Sequence, residues 1–117
     1  MGFFYVGLGG AIGSMLRYAI SLIPYKQTFP LLTMITNICG AFIIGYIAGA
    51  AVKKNVSPNV LLMLKTGLCG GFTTFSTFSL EAYTLLQNGN YMCMAIYVLL
   101  SFLGCMLGIW GGMALSS

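Results

Sequence analysis

The sequence predicts an all-α membrane protein with four transmembrane helices per subunit and a break in the third. Composition, length and one anomalous segment carry that reading. Of the 117 residues, 59% are apolar and 5% charged, with a mean hydropathy of +0.97. Soluble domains run at about 25% charged, and a water-soluble surface this poor in charge would aggregate. Disorder is excluded by the same numbers, because disordered chains are poor in apolar residues and rich in charge. A spanning helix takes about 20 mostly apolar residues. Four therefore fit in a single transmembrane domain over residues 1–117, with nothing left for a soluble domain. Four short helices are too few to enclose a selective pathway, so length alone predicts an oligomer, most simply a dimer.

The first span is expected over about residues 3–23, closed by Pro24 and the polar turn Tyr25-Lys26-Gln27. It lacks a charged leading region and an evident cleavage site, so it is expected to be retained as a helix. The second runs from about 30 to 52, opening on Pro30, which suits a first helical turn, and leaving at Lys53-Lys54-Asn55. Ser57-Pro58 reads as an N-cap followed by a first-turn proline. The third span starts there and ends at Gln87, where Asn88-Gly89-Asn90 makes a turn. The fourth covers about 91–115. Glycines recur at four-residue spacing in every span: Gly9 and Gly13; Gly45 and Gly49; Gly67 and Gly71; Gly104, Gly108 and Gly112. In lipid such pairs let helix backbones approach closely, which predicts a compact bundle without identifying a subunit interface.

Charge placement says more about orientation than about partners. The five basic residues are dispersed, with no basic run or face, which excludes a nucleic-acid surface. Lys53 and Lys54 lie on the side of the termini, and Lys26 with Arg17 on the other; Lys65 sits within the third span. The two sides nearly tie, so the rule that basic loops stay inside permits insertion both ways up and an antiparallel dimer. With no histidine and one acid, Glu81, most hydrolytic, metal-dependent and acid–base chemistry is excluded, so no enzyme is expected. Cys39, Cys69, Cys93 and Cys105 form no C-x-x-C pair and read as small buried hydrophobes.

The anomaly is Gly70-Gly71-Phe72-Thr73-Thr74-Phe75-Ser76-Thr77-Phe78-Ser79 in the middle of the third span. Paired glycines and three threonines are poor helix formers, which predicts a break at mid-depth. Non-helical backbone survives there only when buried in protein or lining a polar cavity, and the carbonyls it frees suit a hard monovalent cation. Alternatively, the hydroxyls satisfy themselves against their own backbone in a kinked helix. Phe72, Phe75 and Phe78 share a drifting face, with Thr73, Ser76 and Thr77 beside them and Glu81 one turn beyond. Hydroxyls can donate to a passing ion, and the positive ring edge of Phe can meet an anion. Asn37, in mid-span, supplies amide donors for structure or for an ion. Arg17 and Lys65 can concentrate anions in a vestibule or snorkel to the headgroups.

The segment from Gly70 to Glu81 resembles the signature of the Fluc (CrcB) fluoride channels. Gly9-Gly10-Ala11-Ile12-Gly13 through Arg17-Tyr18 is similar to that family's first-helix motif, as is Asn37 with Gly40, Phe42 and Gly45 in the second. The resemblance implies a dual-topology, antiparallel dimer with two fluoride pores, in a bacterial inner (plasma) membrane. The partner would be a second copy or a paralogous subunit. It also implies a structural Na+ where the two third-helix breaks cross, with Gly70 and Thr73 offering carbonyls. Phe75 and Phe78 would line the pores, with Asn37, Ser76, Thr77, Tyr97 and Ser101 on the polar track. Arg17 matches the vestibule arginine and Glu81 the acid that closes the motif. Cys105, one turn past Ser101, stands where a hydroxyl is expected.

Fluoride is small and strongly hydrated, so dehydration is its barrier. Neutral donors and ring edges replace water stepwise, each weakly enough to release the ion. Two other functions compete. A small proton-coupled multidrug or cation exporter would need an embedded carboxylate, normally in the first helix, and this first helix has none. A non-transporting assembly subunit would have no use for the hydroxyl-lined break.

Overall fold

The structure, a computed structural model, describes residues 2–25 and 28–116, apart from the side chain of Lys54. Lys26, which weighs in the orientation argument, lies outside the described residues. The chain is all-helical there: α1 (Gly2–Ser21), α2 (Leu31–Lys54), α3 (58–72), α4 (Phe75–Gln87) and α5 (Tyr91–Ser116). Gly2–Ser21, Leu31–Lys53 and Tyr91–Ser116 are long and apolar enough to cross a bilayer. The accessible surface is 7403 Å², against about 6,200 Å² for a compact soluble chain of this mass. Phe3, Leu107 and Trp110 are exposed. A surface of this kind is stable in lipid, and the chain is a multi-pass membrane protein.

Helix ends follow local chemistry. α1 stops at Ser21, where Leu22 and Ile23 donate to Ala19 and Ile20 in tightened turns and the Ser21 hydroxyl donates to the Tyr18 carbonyl. Asn55 closes α2 in the left-handed conformation, at φ 51°. Gly89, at φ +79°, turns the chain from α4 into α5, while the Gly89 and Asn90 N–H groups close carbonyls of the last α4 turn.

Two close-packed helix pairs build the bundle: α1 lies on α3 and α2 on α5. At Gly13 a Cβ would overlap the Leu68 carbonyl and lie 2.8 Å from the Phe72 nitrogen. Gly45 and Gly112 bring α2 and α5 together in the same way. The four-residue glycine spacing thus serves contacts within the chain. Residues Leu62–Cys69 of α3 form a π-helix, which no sequence signal indicates; its widened turns lie against Gly9 and Gly13 of α1.

At Thr73 (φ −87°, ψ 157°) and Thr74 (φ −149°, ψ 122°) the backbone is extended between α3 and α4. Gly70 and Gly71 remain helical. Gly71 is spent on contact, since a Cβ there would lie 2.6 Å from the Gly10 carbonyl, whereas β-branched threonine favours extended backbone. The four cysteines are free thiols, but only Cys69 is buried; Cys39 is exposed, contrary to the expectation of a uniformly buried set.

Candidate functional site

The extended pair redirects a local set of hydrogen bonds. Thr73 stays tied to the preceding turn, its N–H and hydroxyl both donating to the Cys69 carbonyl at 3.0 and 2.8 Å. Thr74 turns to α2. Its N–H donates to Asn37 Oδ1 at 2.9 Å, and its carbonyl accepts from Asn37 Nδ2 at 3.1 Å. Gly40, one turn along α2, makes room for this approach: a Cβ there would overlap the Thr73 methyl group. The Thr74 hydroxyl then caps α4 by accepting the Thr77 N–H at 3.2 Å.

In an unbroken helix the Thr74 N–H would close the Gly70 carbonyl and the Thr77 N–H the Thr73 carbonyl. Both donors are committed elsewhere. The Gly71 carbonyl between them accepts from Arg17 Nε at 3.3 Å. Among the described residues this leaves two neutral, hard oxygens open in one turn, and space is available: Gly70 is exposed, and a Cβ there would meet nothing within 4 Å. Carbonyl oxygens suit hard cations, which take about six oxygen ligands. The two carbonyls of this turn fall short of that number.

Beside the extended pair, α2, α3, α4 and α5 line an open cavity of about 790 Å³. It gathers Asn37, Lys65, Gly70, Thr73, Phe75, Phe78, Ser101 and Cys105 from the sequence-predicted set and its neighbourhood. Phe75 stands 79% exposed, and its ring lies 5.8 Å from that of Phe78. The aromatic row continues inward through Phe78 and Tyr97 (5.1 Å) to Phe29, which meets Tyr97 edge-on at 5.6 Å. Tyr97 is the largest fully buried side chain, and its hydroxyl donates to Glu81 Oε1 at 3.1 Å. Ser101 is also buried, with its Oγ unpaired among the described residues.

Arg17 and Thr77 occupy the other side of the extended pair. With Ser21, Thr33, Thr36 and Thr74 they line a cavity of about 70 Å³. The Ser76 hydroxyl is exposed, 3.4 Å from the Thr74 hydroxyl, and lines neither cavity. Of the predicted residues, Asn37, the Phe75–Phe78 pair and Ser101 thus meet in one groove, Arg17 and Thr77 face a second space, and Glu81 backs Tyr97. Sequence reasoning missed three participants. Thr74 carries a signal, a threonine three residues before Thr77 at a helix start. Gly71 and Phe29 carry none, because a carbonyl acceptor and a ring edge depend on tertiary placement.

The profile of the family described as CrcB-like protein, Camphor Resistance (CrcB) matches residues 4–113. The chain is 46% identical over 118 aligned positions to a protein of Flavobacterium psychrophilum named fluoride-specific ion channel FluC, covering 97% of this chain and 94% of that one. A protein of the same name from Azobacteroides pseudotrichonymphae is 45% identical over 107 residues, covering 87% of this chain and 86% of its own. One from Methanococcus aeolicus is 38% identical over 112 residues, covering 95% and 91%.

Proposed function

Since the chain belongs to the CrcB family, we propose that it is a fluoride-specific channel exporting cytoplasmic fluoride by passive electrodiffusion through two pores of an antiparallel dimer. The observation that carries the reading is the groove beside Thr73 and Thr74. There the Phe75–Phe78 pair, the unpaired Ser101 hydroxyl and two released carbonyls lie together in a chain whose relatives are named fluoride-specific ion channels. The extended pair acts as the break of the third span at mid-depth. A second copy, inserted the other way up, covers the groove and turns it into a closed path in the plasma membrane of a bacterium.

In this reading, Arg17 and Lys65 draw anions to the entrances, where a cation raises local concentration without trapping the ion in the narrow part. Asn37 offers its remaining N–H at the break. Phe75 and Phe78 present ring edges, and the hydroxyls of Ser76, Thr77 and Ser101 supply neutral donors, with Tyr97, whose single O–H is given to Glu81, backing the rings. Glu81 fixes the direction of the Tyr97 hydroxyl. The released carbonyls of Gly70 and Thr73 fit a structural Na+ shared with the second copy, which would hold the two breaks together by charge. No covalent step is involved, and the activity is transport rather than catalysis.

Fluoride efflux from liposomes containing the purified protein tests the function. Rapid release of fluoride, with chloride retained, is expected. Fluoride that stays trapped while the protein is folded and dimeric would overturn the reading.

A further inference from the structure

The two bonds of the Asn37 amide reach the backbone of one residue, Thr74, and both affect what the break exposes. Its Oδ1 takes the N–H that helical geometry directs at the Gly70 carbonyl, and its Nδ2 holds the Thr74 carbonyl in the extended conformation. This pairing also fixes which amide atom is oxygen, because a backbone N–H must face an acceptor. Thr74 cannot satisfy both Asn37 and Gly70 with a single hydrogen. The state in which Asn37 is engaged is therefore the state in which the Gly70 carbonyl is free.

We propose that Asn37 is a positioning residue for the cation site: by capturing the Thr74 N–H it keeps the Gly70 carbonyl available as a ligand. The inference rests on the sodium reading given above and adds how a site on one helix is held open by another. Gly40, Asn37 and Thr73 form the contact that makes the capture possible, since only a glycine at 40 lets the extended pair lie close enough to α2. Thr74 serves the Thr73 carbonyl in the same manner, its hydroxyl diverting the Thr77 N–H. Without Asn37, the Thr74 N–H has the Gly70 carbonyl as its nearest helical alternative. Closing that bond removes one oxygen from each copy's share of the ion.

The test reads sodium binding rather than flux. Thermal unfolding of the full-length protein in detergent, followed by circular dichroism, is titrated with Na+ against N-methylglucamine at constant ionic strength. For Asn37→Ala, the sodium midpoint of the stabilisation should rise by about tenfold or more, the cost of roughly one lost ligand interaction. Phe75→Ile should lose flux and keep the wild-type sodium midpoint. Asn37→Asp, measured at an acid pH where its carboxyl is protonated, keeps both bonds: its carbonyl accepts the Thr74 N–H and its O–H donates to the Thr74 carbonyl. There it should keep the sodium midpoint of wild type at the same pH, and it serves as the test if Asn37→Ala does not assemble. A wild-type midpoint in Asn37→Ala, or a weakened one in protonated Asn37→Asp, overturns the positioning role while leaving the sodium site standing. A wild-type protein indifferent to Na+ overturns the site and the positioning role together, with the fluoride reading still judged by efflux.

Discussion

Residues 58–72 and Phe75–Gln87 belong to one stretch of apolar sequence, yet α3 meets α1 through backbone and α4 meets α5 through side chains. Along α3, glycines on both helices let carbonyls and amides touch across the crossing, at Gly9, Gly13, Gly67 and Gly71. Along α4 the contact consists of Phe78 on Tyr97 and the Tyr97–Glu81 hydrogen bond, with Phe75 left standing in the groove. A backbone crossing has no rotamers to adjust, so α3 is fixed in place. A side-chain contact can be tuned one group at a time, so the polar track can occupy α4 without endangering the bundle. The extended pair at Thr73 and Thr74 separates the two arrangements.

The comparison breaks most severely at Gly13. Gly13→Leu drives a side chain into the Leu68 carbonyl and the Phe72 amide, neither of which can move without shifting α3. The expected loss is about 4 kcal/mol or more, in the range that abolishes folding of marginal proteins. Gel filtration of the detergent-extracted protein should show aggregate or nothing. Gly7→Ala is the matched control on the same helix: its Cβ meets nothing within 4 Å, and stability should stay within about 1 kcal/mol of wild type. A well-folded Gly13→Leu protein would mean that the α1–α3 crossing is no more rigid than the α4–α5 contact.

At Tyr97 the side-chain half of the comparison can be cut without removing its bulk. Tyr97→Phe keeps the ring stacked between Phe29 and Phe78 and deletes the donor to Glu81. Leaving a part-buried carboxylate without that donor costs about 1–3 kcal/mol, so the unfolding midpoint should fall while the protein still assembles. Flux should fall with it, because the Tyr97–Glu81 bond holds α4, and with it the Phe75–Phe78 pair, against α5. An unchanged midpoint would show that Glu81 finds another donor and that α4 is held by its rings alone.

Much of this division was legible in the sequence. The glycine spacing identified the close contacts, and the run from Gly70 to Ser79 marked where helical preference fails. The details were not legible, because they depend on which neighbour arrives. Gly70 and Gly71, the strongest local helix breakers, stay helical because Gly71 is needed against Gly10, and the extension falls on the two threonines that Asn37 and Gly40 receive. Asn37 could be read as a donor, but its pairing with Thr74 spans 37 positions and has no local signature. The π-helical turns of Leu62–Cys69 are likewise invisible to periodicity.

The smallest effect on folding is expected at Ser101, and there it sharpens the comparison most. Its hydroxyl is buried, faces the groove from α5 and has no hydrogen-bond partner among the described residues. Removing a hydroxyl that the fold leaves unpaired forfeits no hydrogen bond, so Ser101→Ala should leave the thermal midpoint unchanged or raise it slightly, by the equivalent of at most about 1 kcal/mol. Conduction should respond the other way, with fluoride efflux reduced several-fold, because the donor that the fold leaves unused is one the ion needs. The two readouts separate a transport role from a structural one. A stability loss above about 1 kcal/mol would mean that a second copy satisfies the hydroxyl. Unchanged flux at unchanged stability would take Ser101 off the path.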